Sequence, residues 1–397
     1  MLIRKLKKIM KTNKKKRIGI DARFYGPIGK GLGRYTQEIV DNILRLDKFN
    51  EYIIFLRKEN FDELIIDDYK NVKKVLAEVR WYTLKEQFLM PYFIWRQKLD
   101  LVHFPHFNVP FFVPTKFVVT IHDLILTKFK TIRATTLHPF IYKIKNWGYR
   151  LIIRRALNRS KKVIAVSNFT KNDIVDQFRI DPNKISVIYE GVANLSKGQD
   201  SLFVAKLNSS NVLRDYEIND PFILYVGNAY PHKNLDFLIT SFLDLYKKDN
   251  KLKLVLVGRE DYFYQGLKDL SNNIFSSFSE NPVIFSGYVP DNKLEIFYQK
   301  ALVYVFPSLY EGFGLPPLEA MARGCPVLSS NAGSMPEVLG EAAVYFNPRD
   351  KNDFMDKIEK ILSNKELREE LVSLGYNQQK KYDWWECAFA THKIYIS

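Results

Sequence analysis

Residues 306–327 read Phe-Pro-Ser-Leu-Tyr-Glu-Gly-Phe-Gly-Leu-Pro-Pro-Leu-Glu-Ala-Met-Ala-Arg-Gly-Cys-Pro-Val. The apolar run Ala301–Phe306 predicts a strand, a Gly/Pro-rich turn follows, and 318–323 predicts a short helix closed by Gly324 and Pro326. Pro316 and Pro317 suit a first helical turn, where the missing N–H would have no partner in any case. The amides of Gly312, Phe313, Gly314 and Leu315, with the helix dipole behind them, form a site for an anion such as a diphosphate. Glu311 and Glu319 flank that site. Two carboxylates would repel a phosphate, so they are better suited to accept hydrogen bonds from sugar hydroxyls on either side of it. The chemistry expected of this element is recognition of a nucleotide sugar.

Outward from it, short apolar runs alternate with helical stretches, the pattern of a parallel α/β sheet. Strands are expected at 17–21, 51–56, 101–104, 117–121, 163–166 and 185–189. The first is followed by a glycine loop (Gly26, Gly29, Gly31, Gly33) and an amphipathic helix over 34–46. Thr170 and Asp173 form a candidate capping box for a helix ending at Phe178. Periodicity is lost over 194–219, which is where a linker is placed. The pattern then restarts, with strands at 222–226, 252–257, 283–285 and 326–330, a helix at 235–247, and a C-terminal helix opened by Asp383 and Glu386. The expected organisation is two doubly wound halves, 1–200 (with a basic tail over 1–16) and 201–378, with residues 379–397 packing back on the N-terminal half. The chemistry-bearing residues fall at strand ends, Gly26–Gly33, His122, Gly227–Lys233 and Glu311–Glu319, where such sheets bind ligands.

At 397 residues, 46% hydrophobic and 26% charged, the chain is a normal globular one. It has no apolar run of membrane-span length and no signal-like N-terminus, and only two cysteines, Cys325 and Cys387. The expected compartment is the cytoplasm. The net charge of +16 is unevenly spread: residues 1–200 carry 39 Lys+Arg against 19 Asp+Glu, and 201–397 carry 21 against 25. The basic excess therefore belongs to the first half and predicts an anionic partner there. The stretch 139–159 interleaves Lys143, Lys145, Trp147, Arg150, Arg154 and Arg155 with apolar residues, suited either to an ordinary helix with one buried face or to an acceptor or an anionic membrane surface.

The run Tyr225-Val-Gly-Asn-Ala-Tyr-Pro-His-Lys-Asn-Leu235, followed by the two spaced glutamates, resembles family 4 of the retaining glycosyltransferases, which have the GT-B fold. The likeness extends through Gly-Leu-Gly-Arg-Tyr (31–35), Val119-Thr-Ile-His-Asp123, Ala165-Val-Ser-Asn-Phe169, Gly287-Tyr-Val-Pro290 and the closing Trp-Glu helix. The resemblance implies that Lys233 pairs with the diphosphate, Glu319 with the ribose, and Glu311 with the Gly312–Leu315 amides holds the transferred sugar. It implies donor contacts at Gly227, Asn228, Gly258, Tyr288 and Val289, a sugar contact from His122, and close backbone approach at Gly29, Gly31 and Gly33. Asn228 departs from the pattern, since many members carry Arg there, leaving Lys233 as the main cation. The implied reaction moves a hexose, mannose favoured, from GDP-mannose or a UDP-sugar to a lipid-linked or polysaccharide acceptor at the inner face of the cytoplasmic membrane. No Asp-x-Asp or metal-ligand cluster is found, so neither a metal nor another cofactor is expected; His103-Phe-Pro-His106 lacks further ligands and reads as a structural or acceptor-loop element. A nucleotide-sugar epimerase or a soluble glucan synthase of the same fold is an alternative. A nucleic-acid-binding protein would explain the charge but lacks any recognition motif, so no nucleic-acid partner is expected.

Overall fold

A computed structural model describes residues 14–128, 139–192 and 209–397. They divide into two compact units: 14–127, 139–191 and 384–397 in the first, 128, 192 and 209–383 in the second.

The first unit is built on seven parallel strands: β1 (Arg17–Asp21), β2 (Glu51–Leu56), β3 (Val72–Leu76), β4 (Leu101–Phe104), β5 (Phe117–Ile121), β6 (Lys162–Ala165) and β7 (Ile185–Val187), in the order 3-2-1-4-5-6-7. The central strands are buried on both faces, as crossover helices require. β3 departs from the expectation. Its sequence Val-Lys-Lys-Val-Leu breaks the apolar signal because it is an edge strand, where lysines discourage pairing with another chain.

Helices α1 (Lys30–Leu46), α2 (Leu84–Arg96), α3 (Pro139–Arg159) and α4 (Asn168–Phe178) cover this sheet. Two local expectations are corrected. α1 starts four residues before Arg34, so Gly31 and Gly33 lie inside its first turn rather than in a loop. A Cβ on Gly33 would come within 2.0 Å of the Gly26 carbonyl oxygen, so this glycine sets how closely the helix sits on the turn before it. At α4 the cap is Ser167, whose hydroxyl accepts from the Thr170 amide at 3.0 Å; Thr170 is the third helical residue and no Thr170–Asp173 box opens the helix.

Beyond β1, Arg23 is fully buried between two carboxylates. Its Nε and Nη2 donate to Asp21 at 2.8 and 2.7 Å, Nη2 also donates to Glu86 of α2 at 2.6 Å, and Nη1 donates to the Val79 carbonyl at 3.0 Å. Asn108 donates to both Glu86 oxygens at 2.8 Å, and the Tyr82 amide to one of them. This buried network ties α2 to the ends of β1 and β4.

The second unit repeats the arrangement with six parallel strands: β8 (Phe222–Val226), β9 (Lys253–Val257), β10 (Val283–Gly287), β11 (Val303–Phe306), β12 (Val327–Ser330) and β13 (Val344–Phe346), in the order 10-9-8-11-12-13. Its longer helices are α5 (Leu235–Lys248), α6 (Tyr262–Ile274), α7 (Asp291–Lys300), α8 (Leu315–Ala322), α9 (Lys351–Ser363) and α10 (Lys365–Gln379). β13 is too short for its period to show. The expected linker is shorter than read, because Ser209–Arg214 is helical; its residues 194–208 lie outside the described residues. In both sheets the strand order reverses beside the first strand, β1/β4 and β8/β11, and the loops after these strands form each unit's crevice.

The chain then returns to the first unit as α11 (Trp384–Ile396), which packs on α1. His392 Nε2 meets Asp47 Oδ2 at 2.7 Å, and the Tyr395 hydroxyl meets His103 Nδ1 at 2.5 Å. Burial, reinforced by the charge on His122, pushes His103 down to about 3, so it is neutral and bridges Tyr395 to Thr120. It thus serves packing, the structural one of the two roles expected of it. Although burial alone would raise the Asp47 carboxyl, hydrogen bonds from His392, Asn50 and Tyr52 hold it well below the usual range.

Replacing Arg23 by Met should destabilise the first unit by about 3–5 kcal/mol, because two buried carboxylates lose their shared cation. Chemical denaturation followed by tryptophan fluorescence measures this; a loss below about 1 kcal/mol would mean that water reaches the pair.

Candidate active site

In the second unit the crevice is lined by two loops, 227–234 after β8 and 307–314 after β11. Three buried tyrosines fix the first from below. The hydroxyls of Tyr304, Tyr264 and Tyr225 donate to the successive carbonyls of Val226, Gly227 and Asn228 at 3.2, 2.7 and 2.7 Å. With three carbonyls held inward, the far end of the loop is aimed at its neighbour. Sequence reading missed this device, since a tyrosine in a strand reads as core; its signal was three tyrosines in strands and a helix that end in one crevice.

The two loops are joined directly. The Leu309 amide donates to the His232 carbonyl at 2.7 Å, and Asn234 Nδ2 donates to the carbonyls of Pro307 and Pro348 at 3.2 and 2.9 Å. Asn234 takes a left-handed conformation between the turn of Lys233 and helix α5, which suits its short polar side chain. Lys233 Nζ lies 2.6 Å from Glu311 Oε1, and both side chains are nearly buried, at 11% and 12% exposed. Lys233 also lies 5.3 Å from the Phe306 ring centroid. A lysine so enclosed is no ordinary solvated helix-start residue. Burial pushes neighbouring His232 down to about 4; Glu311 resists the shift and Lys233 adds to it. At neutral pH, therefore, Lys233 alone brings positive charge to this loop.

Glu311 is positioned from behind. Ser334 Oγ donates to the carbonyls of Glu311 and Phe313 at 3.2 and 2.9 Å, and Ser330 Oγ to that of Ser308 at 2.6 Å. Gly333 approaches so closely that a Cβ would stand 2.7 Å from the Glu311 amide nitrogen. The segment 330–334 is thus part of the site, which sequence reading also missed.

Helix α8 begins at Leu315, three residues before the expected start, so Pro316 and Pro317 fall within its first turn. Gly314 precedes it in a left-handed conformation with no side-chain cap. The two prolines remove two of the usual orphan donors, leaving the Gly314 and Leu315 amides at the helix entrance. Glu319 lies on α8, half-buried. Burial, two neighbouring tyrosines and the charges of Glu319 and Glu311 raise the Tyr304 hydroxyl well above its usual value, so both carboxylates stand close enough to feel this one phenol.

Other expected donor contacts divide by geometry. The Gly227 amide donates to the Val257 carbonyl at 2.9 Å and the Gly258 amide to that of Gly287 at 3.1 Å, extending the strand ladder. These two amides are therefore committed to backbone, and Gly258 acts as a spacer, since a Cβ there would strike the Gly227 carbonyl and the Tyr264 hydroxyl. Val289 is buried in the core and Phe313 packs edge-on to Tyr382. Tyr288 is exposed and Asn228 half-buried.

In the first unit, His122 follows β5. Its Nδ1 lies 2.7 Å from Glu190 Oε1 and its Nε2 lies 2.9 Å from the Pro105 carbonyl. Two acceptors facing two ring nitrogens select the imidazolium. Burial alone would lower its pKa, but the hydrogen bond and charge of Glu190, with Pro105, raise it. Neither nitrogen keeps a lone pair for a substrate hydroxyl. Gly31 opens onto empty space, whereas Gly29 packs against the Phe24 carbonyl. In the basic stretch Trp147, Arg150 and Arg154 are exposed and Arg155 is half-buried. The Lys143 and Lys145 side chains lie outside the description. Among the described residues no group of three or more His, Cys, Asp or Glu could hold a metal ion, and no helix is long and apolar enough to cross a membrane.

The family model of glycosyl transferases group 1 matches residues 213–378, and that of glycosyltransferase family 4 matches 30–193. The O-antigen chain mannosyltransferase RfbU of Salmonella typhimurium is 32% identical over 275 residues, 68% of this chain and 70% of that protein. O-antigen chain mannosyltransferase B of Escherichia coli is 27% identical over 383 residues, 92% and 95% of the two chains. Among solved structures, sucrose-phosphate synthase of Thermosynechococcus elongatus superposes with a TM-score of 0.72 at 18% identity, covering 96% and 98% of the two chains. At that identity the last comparison speaks for the fold.

Glu190→Gln should lower the His122 pKa, because burial is then opposed by the Pro105 carbonyl and the more remote charge of Asp123. A histidine raised above its ordinary 6.5 contributes stability that is fully present below that pH and is lost as pH rises through the raised value. The stability difference between wild type and variant should therefore be largest at acidic pH and shrink above it. An NMR titration of the ring proton checks the first point and denaturation against pH the second.

Proposed function

The chain belongs to glycosyltransferase family 4 and has the GT-B fold, and from that premise we propose that it transfers a hexose, with retention, from a nucleotide-diphosphate sugar. Mannose from GDP-mannose is the favoured donor because curated relatives are named as O-antigen mannosyltransferases. The proposed acceptor is a lipid-linked or polysaccharide intermediate of cell-envelope glycan synthesis, met at the cytoplasmic face of the membrane, where the basic helix α3 would contact anionic lipid.

The observation that carries the donor reading is the Lys233–Glu311 pair beside the entrance of α8. Departure of a nucleoside diphosphate builds negative charge on its oxygens and positive charge on the anomeric carbon. A dehydrated lysine and two helix-entrance amides compensate the first without reorganisation. In this reading the diphosphate takes over the lysine, and Glu311, released, accepts from a sugar hydroxyl. Glu319 holds the ribose. Asn228 stands where many members carry Arg and His232 is neutral, so Lys233 supplies most of the charge and no metal is invoked. His122, an imidazolium in this reading, would donate to a substrate hydroxyl rather than accept from one, giving up its bond to Pro105 to do so. The departing phosphate takes the acceptor proton on the same face, which requires no side-chain base.

Lys233→Ala should reduce turnover by roughly 10²–10³-fold, the usual loss on removing one preorganised donor. Glu311→Ala should reduce turnover far more than it reduces nucleoside-diphosphate affinity; equal loss of both would refute its assigned role. Thermal shift with GDP-, UDP-, ADP- and dTDP-sugars tests the donor, since a ligand at about 100 times its Kd adds ~2.7 kcal/mol. NMR of the first-formed product tests retention, and an inverted anomer would sink the mechanism.

A further inference from the structure

Helix α2 is apolar on two faces. Its inner face, Met90 and Ile94 with the paired Glu86, is buried against the sheet. Its outer face presents Leu84, Phe88, Tyr92 and Trp95, spaced four, four and three residues apart, with Leu84 83%, Phe88 76% and Trp95 66% exposed. A surface helix ordinarily turns polar residues outward, and one apolar all round is covered by something. The stripe does not end with the helix. The Phe111 amide donates to Gln87 Oε1 at 2.7 Å, its ring lies 3.7 Å under the Arg155 guanidinium of α3, and its exposed neighbour Phe112 continues the surface. α2, the 111–112 loop and α3 therefore form one continuous face of the first unit.

The exposed charges carried by α2 and α3 themselves have one sign. Residues 79–99 contribute Arg80, Lys85, Arg96 and Lys98, and the single acid among them, Glu86, is buried on Arg23. Residues 147–162 contribute six basic residues and no acid. The exposed apolar residues are mainly aromatic, of the kind that settle at lipid headgroups. Thirteen residues give a helix about 20 Å long, enough to lie in the interface but not to span it.

We propose that α2 with Phe111 and Phe112 is the apolar anchor of a peripheral membrane-binding face, inserting its aromatic stripe among the headgroups of an anionic bilayer while the α3 arginines bind phosphate. The proposal rests on the membrane part of the reading above and adds the insertion element, which that reading places nowhere. A second copy of the chain fits less well, because a twofold contact would set this cationic face against itself.

The test uses the full chain and sedimentation with vesicles rich in phosphatidylglycerol or of phosphatidylcholine alone. Phe88→Gln/Trp95→Gln should lower binding to the anionic vesicles by about tenfold or more, with the residual binding abolished by salt. Arg154→Glu/Arg155→Glu should lower it through the charge instead. In the unaltered chain, brominated acyl chains should quench a fluorescence component that Trp95→Phe removes. Loss with the aromatic pair but not the arginine pair keeps this inference and discards α3 as the attachment site. Wild-type binding by the aromatic pair, or no quenching of Trp95, overturns it. So does a dimer at micromolar concentration that the aromatic pair converts to monomer, which would make a second copy the occupant. Donor-sugar binding, measured in the same preparations, should be unchanged in both variants; failure of wild type to bind any nucleotide sugar would count against the enzymatic reading alone.

Discussion

A lysine withdrawn from water must keep a counter-charge, and that requirement organises the second unit. Lys233 meets Glu311 across the gap between the loops after β8 and β11. Neither loop could hold its residue there alone. The first is pinned by three tyrosine hydroxyls on successive carbonyls, the second by Ser330 and Ser334 and by the close packing of Gly333. Opposite charges at this distance and burial attract strongly, but each has also surrendered its hydration, so the net stabilisation of the resting pair is small. The pair is better regarded as a poised state. An incoming anion can compete for the cation, and the geometry is already set when it does.

What the sequence disclosed follows from which signals are local. β1, β2, β4, β5 and β8 are runs of apolar residues bounded by polar ones, and they fall where they were read. The glutamate element was legible because its Gly, Pro and Glu residues each constrain a short stretch of backbone. Non-local facts were hidden. That the Gly227 and Gly258 amides are spent on neighbouring strands depends on register, and that Val289 and Phe313 face inward depends on what packs behind them. His122 follows a strand end where it was read, yet its partner Glu190 is 68 residues away and settles its protonation. Serine, whose hydroxyl serves caps, cores and loops alike, carries almost no signal of its own, so Ser330 and Ser334 passed unnoticed.

The two units solve the same topological problem with different materials. In the second, neutral hydroxyls and one ion pair shape the crevice. In the first, the equivalent position beside β1 holds a guanidinium enclosed by two carboxylates and the Val79 carbonyl, with Asn108 donating to one of the carboxylates. That charged core fixes one end of α2 firmly, which is what leaves its opposite face free to be apolar without endangering the packing beneath.

The location of α11 has a consequence for how the chain is made. His392 and Tyr395 complete the first unit by reaching Asp47 and His103, more than 290 residues earlier in the sequence. On a ribosome, where domains generally fold in the order they emerge, these two buried partners must wait until every residue of the second unit has been synthesised. The amino-terminal half is therefore the last to be sealed, and its polar interior stays open to water, or to a chaperone, for most of translation.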